Sequence, residues 1–527
     1  VEQKLRFWHE VLPAISVAAV PAVPLLPMSA KRAHERMSAT APSNEVRALL
    51  RFAFSAAAEG LGITLVGGQS IGDGYVYARA DGAPFADDDL QPLRTLLPLA
   101  FVGDVACVDV PWYKLADYFR SKGLARSAAL IAGRDDAIPC LQADVKDARV
   151  WRLRLGALAR DGALDAGLRA FAAADWNPVV ERVGAGVAVR YGATLSPTLR
   201  AEVADGTAWG ARVGVRSLGD LNALEGRAAV DYALQSEFRQ EAKIHDLARA
   251  VAARRGVGLI CIAGPTSSGK TTFAAKLGMY LRNEGVDTVG LTVDHYYLPL
   301  DRQPKYQKRK QRSDVDYDAV ESMDGPLVGD HINALLRGER VEPPVYDMKT
   351  GYRDGVHAAV ALPAGSVLII EGIHALNPEF VGKVPRDRTF KVFISPLPAL
   401  GLDECNALKT TDCRLLRRMC RDFKFRGNDA SKTLGMWANV RRGEATWIFP
   451  HQDDVDFAMN SATEYELRVL KPVVEPLLRD VPPASPHAAK AAALLAFLAL
   501  VKPLDASLPT STSLLREFIG DGAFDCH

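Results

Sequence analysis

The 527-residue chain has little that would place it in a membrane. Its longest apolar tract, VLPAISVAAVPAVPLLPM (11–28), is broken by Pro13, Pro21, Pro24 and Pro27. AAKAAALLAFLALV (488–501) is short for a span and holds Lys490, and it reads as an amphipathic packing helix. Excess charge is also missing: 64 Lys+Arg against 63 Asp+Glu leave +1, so no overall field draws in nucleic acid or an anionic surface. The seven cysteines form no CxxC pair, which excludes a zinc ribbon and suits reduced thiols in an intracellular protein. Histidine is missing between His34 and His245, so that stretch holds no histidine-based hydrolase and no His-ligated metal. No NKxD guanine reader occurs, nor the paired strand-end acids of a motor ATPase.

Compartment is read from the same features. The cytoplasm is the first expectation. An organelle is the alternative, because KRAHER (31–36) follows the apolar tract, although four glutamates by position 45 and the prolines disfavour a presequence.

What is present divides the chain. Residues 1–44 read as an arm. Residues 45–225 mix Ala-rich helical runs (VRALLRFAFSAAAEGLG) with alternating strands (GYVYARA, VAVRYGATL), an α+β pattern. Residues 226–256 read as a connecting helix, with Phe238, Leu247 and Val251 on one face. At 257 the character changes. VGLICIA is a continuous apolar run, a glycine loop follows, then a helix that Gly285 ends, then VDTVGLTV. With SVLII (366–370) and TFKVFIS (389–395) this predicts an α/β fold over 257–480, a parallel sheet flanked by helices, followed by a helical tail over 481–527.

The loop is GPTSSGKTT: Gly264, Pro265, Thr266, Ser267, Ser268, Gly269, Lys270, Thr271 and Thr272. It satisfies GxxxxGK followed by Ser or Thr, between a strand and a helix. Backbone N–H groups and the helix N-terminus can cradle phosphates there, Lys270 can neutralise them, and the Thr271 hydroxyl can ligate Mg²⁺. A fortuitous glycine turn is the bland alternative, and the strand–loop–helix setting argues against it.

Two carboxylates follow at strand ends, Asp294 in TVDHYY and Glu371 in VLIIEGIHAL. Open parallel sheets place ligands at that edge. Asp294 can take a proton from an attacking hydroxyl and help order a metal, and Glu371 suits the metal shell. Taken singly, each could be a helix cap or turn acid. The Lys305–Arg312 run reads as a solvated surface, whereas Asp316, Asp318 and Asp324, interleaved with Tyr317 and Met323, suit a polyhydroxyl ligand. In TTDCRLLRRMCRDFKFRG, Arg414, Arg417, Arg418 and Arg421 share one helical face with Arg426 just beyond. That pattern predicts a cationic lid over transferring phosphate, or else a solvated stripe.

GPTSSGKTT, VDHYYLPLDRQP, DYDAVESMD, EPPVYDMKTGYRDG, LIIEGIHALNP, TTDCRLLRRMCRDFKFRG and VRRGEATWIFPHQDDVDFAMNSATEYELRVLKP together resemble the phosphoribulokinase/uridine kinase family. The likeness is closer to its long nucleoside kinase branch, where the kinase domain follows a region similar to the accessory domain of threonyl-tRNA synthetase. The resemblance implies an ATP- and Mg²⁺-dependent phosphotransferase. In it Asp294 is the base toward a ribose 5′-hydroxyl, Lys270 the phosphate clamp, and Thr271 and Glu371, with Asp294, the magnesium shell. Arg417, Arg418, Arg421 and Arg426 close over the phosphates, and Tyr297, Asp318, Tyr346 and Arg353 hold a nucleoside such as uridine or cytidine. One departure is visible: where short uridine kinases carry a pyrimidine-reading histidine, this chain has Gly351.

The histidine-free first half cannot reproduce the synthetase domain's hydrolysis and reads as a non-catalytic module. Its roles would be docking, oligomerisation (a homo-oligomer being one form), or contact with RNA or a larger assembly. A sugar phosphate is the alternative acceptor, and a non-catalytic adaptor retaining a nucleotide site is the alternative class.

Overall fold

The computed structural model describes residues 44–71, 74–99, 105–132, 137–145, 148–153, 179–183, 186–190, 197–303, 318–381, 383–403 and 406–526. The arm, the Lys305–Arg312 run, Asp316 and Tyr317 lie outside them.

The first half is α+β, as its mixed pattern predicts. Helix α1 (Asn44–Gly60) buries Leu49, Leu50, Ala53, Phe54 and Ala57. Strands β1 (Leu65–Ile71), β2 (Gly74–Arg79), β6 (Val179–Val183) and β7 (Gly186–Arg190) form an antiparallel sheet in the order β1-β2-β7-β6. Strands β3 (Ala106–Pro111), β4 (Ala137–Val145) and β5 (Ala148–Leu153) form a second antiparallel sheet.

Helix α2 (Gly226–Ala253) occupies the span expected of the connecting helix. Its inward face differs from the expectation: Leu247 and Val251 are buried, but Phe238 is 64% exposed. The buried stripe runs instead through Tyr232, Ala233, Glu237, Gln240 and Ile244. At about 100° per residue Phe238 points to the side of the helix away from that stripe. Glu237 is stabilised inside by hydrogen bonds from the Tyr465 hydroxyl and from Ser513 Oγ at 2.7 Å.

The second half contains the predicted parallel sheet. Strands β8 (Leu259–Ala263), β9 (Thr288–Thr292), β14 (Val367–Glu371), β15 (Thr389–Ser395) and β16 (Phe457–Asn460) lie in the order β16-β15-β8-β14-β9. Two short antiparallel pairs, β10 (Arg340–Val341) with β13 (Val360–Ala361) and β11 (Pro344–Asp347) with β12 (Tyr352–Val356), sit between β9 and β14 in the chain. Every residue of β8 and β14 is buried, the signature of strands covered on both faces. The parallel register sets Glu371 opposite Ile262 and Thr292, and Phe393 opposite Ala263, so the strands end at one edge. Helix α3 (Lys270–Asn283) leaves β8 through the glycine loop, and α4 (Thr410–Arg426) and α5 (Glu466–Arg479) pack beyond.

The two halves share a core. Leu115, Phe119, Ile131 and Leu218 pack in one apolar cluster with Leu415, Leu416, Leu467, Leu470 and Phe518. Polar contacts repeat the link: Leu218 N–H donates to Gly401 O at 2.7 Å, and Arg468 Nη1 donates to Leu221 O at 2.7 Å and Leu224 O at 2.9 Å. Among the described residues, no helix is long and apolar enough to cross a membrane.

A shared core predicts shared unfolding. Leu415 is fully buried, and Leu415→Ala should cost about 2–5 kcal/mol. Denaturation of that variant should lower one transition, seen alike by tryptophans of the first half (Trp112, Trp151) and the second (Trp437, Trp447). Two separate transitions would show that the halves fold independently.

Candidate functional site

The loop from Gly264 to Gly269 sits at the carboxyl edge of β8 and opens α3. Gly264 is required by a close approach, since a Cβ there would lie 2.0 Å from Ile394 O. Ser267 and Gly269 are left-handed, with φ of 59° and 86°. Ser267 Oγ and Ser268 Oγ are buried without a hydrogen-bond partner. Buried donors with no protein acceptor, at a helix N-terminus, suit an anion. Lys270 Nζ donates to Pro265 O at 3.2 Å and so lies across the loop.

Thr271 Oγ1 donates to Glu371 Oε1 at 3.3 Å. Asp294, in the short helical turn Val293–Tyr296 that follows β9, has its Oδ1 buried and without a hydrogen-bond partner. Strand β14, which carries Glu371, lies beside β8, and β9 lies one strand further out. Burial and the neighbouring Asp294 charge raise the Glu371 carboxyl to about 7, against the pull of Lys270. A hydroxyl and two carboxylates, of which Asp294 leaves Oδ1 unpartnered, are hard oxygen donors, so Thr271, Glu371 and Asp294 fit Mg²⁺.

The arginine face is split between two jobs. Arg414 and Arg417 are fully buried and lie on the carbonyl side of the loop. Arg414 Nε donates to Thr266 O at 3.0 Å, with its other arm on Glu444. Arg417 donates to Ser267 O at 3.4 Å and Ser461 O at 2.8 Å and pairs with Glu466. For Arg417 this departs from the expected lid. With its guanidinium engaged on every side and no exposure, it holds the loop from behind. Arg418 reaches the loop side chain, donating to Thr266 Oγ1 at 3.1 Å. Arg418, Arg421 and Arg426 surround the buried Asp422. Burial alone would raise that carboxyl, but the three cations bring it down to about 2. Burial and repulsion from Arg421 lower Arg426 to about 10, while Asp422 and Asp294 pull it the other way.

The expected nucleoside-holding residues gather around Tyr297, in the segment that follows Asp294. Tyr297 and Tyr346 stack with ring centroids 5.4 Å apart. Tyr297 is held well above its usual range by burial first and then by Asp294, Asp318 and Tyr346. Arg353 is engaged within the protein, donating to Tyr297 O at 3.0 Å, Tyr296 O at 3.2 Å and Asp324 Oδ2 at 3.1 Å. It therefore fixes the segment that carries Tyr297. Asp324, expected to face a polyhydroxyl ligand, instead caps the helix Gly325–Leu336 and pairs with Arg353. Gly351 is left-handed at φ 83°, and a Cβ there would press on Leu300 at 3.3 Å, so a histidine at this position is disfavoured.

Sequence reasoning missed two participants. Glu517, in the tail turn Arg516–Ile519, accepts from both the N–H and the hydroxyl of Thr272 at 3.1 Å. His374, three residues after Glu371, is 1% exposed. An ionisable residue just past a strand-end acid was the available signal for His374; for Glu517, 245 residues from Thr272, there was none.

Glu371 sets a pH dependence. Its folded value, about 7, exceeds the ordinary 4.5, so the folded state keeps a proton that the unfolded state has already released. Stability is therefore lost as pH rises from about 4.5 through 7. Glu371→Gln should remove that loss, making the variant more stable than the parent at pH 8 by on the order of 2 kcal/mol relative to pH 5. Parallel urea-unfolding curves at both pH values would refute it.

The comparisons agree with this geometry. The phosphoribulokinase/uridine kinase family model matches residues 259–467. The uridine kinase of Halalkalibacterium halodurans is 27% identical over 184 residues, 35% of this chain and 76% of that one. The uridine kinase of Staphylococcus aureus is 29% identical over 185 residues, 35% of this chain and 77% of that one. A solved D-glycerate 3-kinase from Cryptococcus neoformans is similar at 15% identity and a TM-score of 0.26, over 43% of this chain and 90% of that one. The family match does not reach residues 45–225, so the synthetase-like reading of that stretch finds no support in it. The parallel sheet, the phosphate loop and the two strand-end carboxylates thus sit in a stretch, residues 259–467, that is a domain of the phosphoribulokinase/uridine kinase family.

Proposed function

We propose that the protein is an ATP-dependent kinase that phosphorylates the 5′-hydroxyl of a nucleoside, uridine or cytidine first. The observation that carries this reading is the placement of Asp294. Its Oδ1 is buried and unpartnered, it follows β9 at the sheet edge from which the phosphate loop leaves β8, and its charge acts on Tyr297, whose ring meets that of Tyr346.

A kinase-family domain implies ATP and Mg²⁺. Thr271, Glu371 and Asp294 would hold the metal, whose chemistry is to offset charge on the phosphates. The remaining work falls to the protein. Loop amides from Ser267 to Thr271 bind and orient the phosphates, and Lys270 neutralises the transferring group. Asp294 accepts the proton of the attacking hydroxyl. Arg418, Arg421 and Arg426 place positive charge near the reacting centre, ordered by Asp422. Tyr297, Tyr346 and Asp318 hold the acceptor, and Arg353 keeps Tyr297 in position. Arg417 acts through the loop as a positioning residue.

The first half is read as structural support for this site, because its residues complete the core behind α4. The family likeness to uridine kinases favours a nucleoside over a sugar phosphate.

The test is ATP consumption by the purified protein against a panel of nucleosides and sugar phosphates. Turnover with uridine or cytidine is expected, falling by on the order of 10³ in Lys270→Ala and in Asp294→Asn. Near-normal turnover in either variant would overturn the assigned roles. Activity confined to a sugar phosphate would overturn the acceptor.

A further inference from the structure

His374 is a buried polar group that the proposed mechanism does not use. It lies in the turn after β14, where Asn377 N–H donates to His374 O at 2.8 Å. Its ring packs edge-on to Phe380 at 5.9 Å, and the side chain is 1% exposed. Neither Nδ1 nor Nε2 has a hydrogen-bond partner of good geometry. Burial, chiefly, lowers the imidazole to about 4, so it is neutral near pH 7 and carries one donor and one acceptor nitrogen.

A buried imidazole with a nitrogen left unsatisfied is costly, because a lost hydrogen bond carries a desolvation penalty of about 1–3 kcal/mol. Its surroundings indicate what could satisfy it. The backbone of Asp318 offers the ring a hydrogen bond that favours its protonated form, while the charges of His451 and Lys270 oppose it. Asp318 in turn acts on Tyr297 together with Asp294. The turn that carries His374 leaves β14 at the edge where the phosphate loop leaves β8, and Gly372, two residues before it, lies against Asp294, where a Cβ would come within 3.3 Å of Oδ1. A nucleoside directed at Asp294 through its 5′-hydroxyl would present its sugar, rather than its base, to that edge. A sugar hydroxyl both donates and accepts, which matches a neutral imidazole.

We propose that His374 is a specificity-determining residue that hydrogen-bonds a ribose hydroxyl of the acceptor. The inference rests on the nucleoside kinase reading above. It also supplies a polar reader in a pocket where Gly351 cannot be one.

The experiment is steady-state kinetics of the full chain and of His374→Phe and His374→Asn. The acceptors are uridine, 2′-deoxyuridine, 3′-deoxyuridine and a sugar-phosphate panel, with thermal melting in parallel. The parent should prefer uridine to one deoxy analogue. In His374→Phe that preference should collapse, through a KM for uridine at least 10-fold higher, a much smaller change in kcat, and an unchanged KM for the disfavoured analogue. The melting temperature should hold or rise, because an apolar ring replaces an unsatisfied one. His374→Asn should recover part of the preference.

An unchanged ratio of uridine to deoxyuridine in His374→Phe would overturn the inference while leaving the kinase reading intact. A melting temperature lowered in both variants with the ratio preserved would make His374 structural and likewise overturn it. A parent that phosphorylates only sugar phosphates, or no acceptor at all, would overturn both.

Discussion

The site depends on how its loop is held. A phosphate loop presents N–H groups on one side and must leave its carbonyls to something on the other. Here two fully buried guanidinium groups receive them, Arg414 at Thr266 O and Arg417 at Ser267 O. Each is paired with an equally buried glutamate, Glu444 or Glu466, and covered by an aromatic ring, Trp437 or Phe518. Charges so deep are tolerated only when every donor is matched, because a buried ion without partners costs several kcal/mol. The matching partners come from α4, α5, the segment between them and the C-terminal tail. Loop geometry is thus tied to the packing of the whole second half.

That packing explains why the first half belongs to the same compact unit. The apolar face of α4 that turns its arginines toward the loop rests on a core completed by Leu115, Phe119, Leu218 and Leu221. Helix α2 fastens the arrangement through Gln240 on Ala462 O at 2.6 Å and Glu237 on Tyr465. The tail reaches the other end of the loop, where Glu517 holds the first turn of α3. Glu371 consequently feels two further carboxylates, Asp294 and Glu517, as well as Lys270. Such crowding keeps a site poised for cations, and it is the physical origin of the raised Glu371.

Much of this was legible in the sequence where the signal is local. A fully apolar strand, a glycine loop and a helix occupy consecutive residues, so β8, the loop and α3 could be read directly. Asp294 and Glu371 followed from their position just past apolar runs. The arginines show the limit. Spacing places Arg414, Arg417, Arg418 and Arg421 on one face, but cannot say whether that face meets solvent or core. The deciding partners, Glu444 and Glu466, lie 30 and 49 residues from their arginines. Phe238 failed for a related reason: an apolar residue was assumed to face inward, while Glu237 next to it found Tyr465 and Ser513. Asp324 looked like a ligand-facing acid and proved to be a helix cap, a role set by the helix that begins after it.

Whether the loop is braced from its carbonyl side is read most directly from the affinity of Arg417→Lys for ATP with Mg²⁺, beside its kcat. A lysine keeps the charge but loses the fork that reaches Ser267, Ser461 and Glu466 together. A brace there means that the variant folds and its nucleotide affinity falls at least about 10-fold as the loop loosens. Unchanged affinity with turnover reduced by on the order of 10³ would instead place Arg417 over the transferring phosphate and contradict the brace.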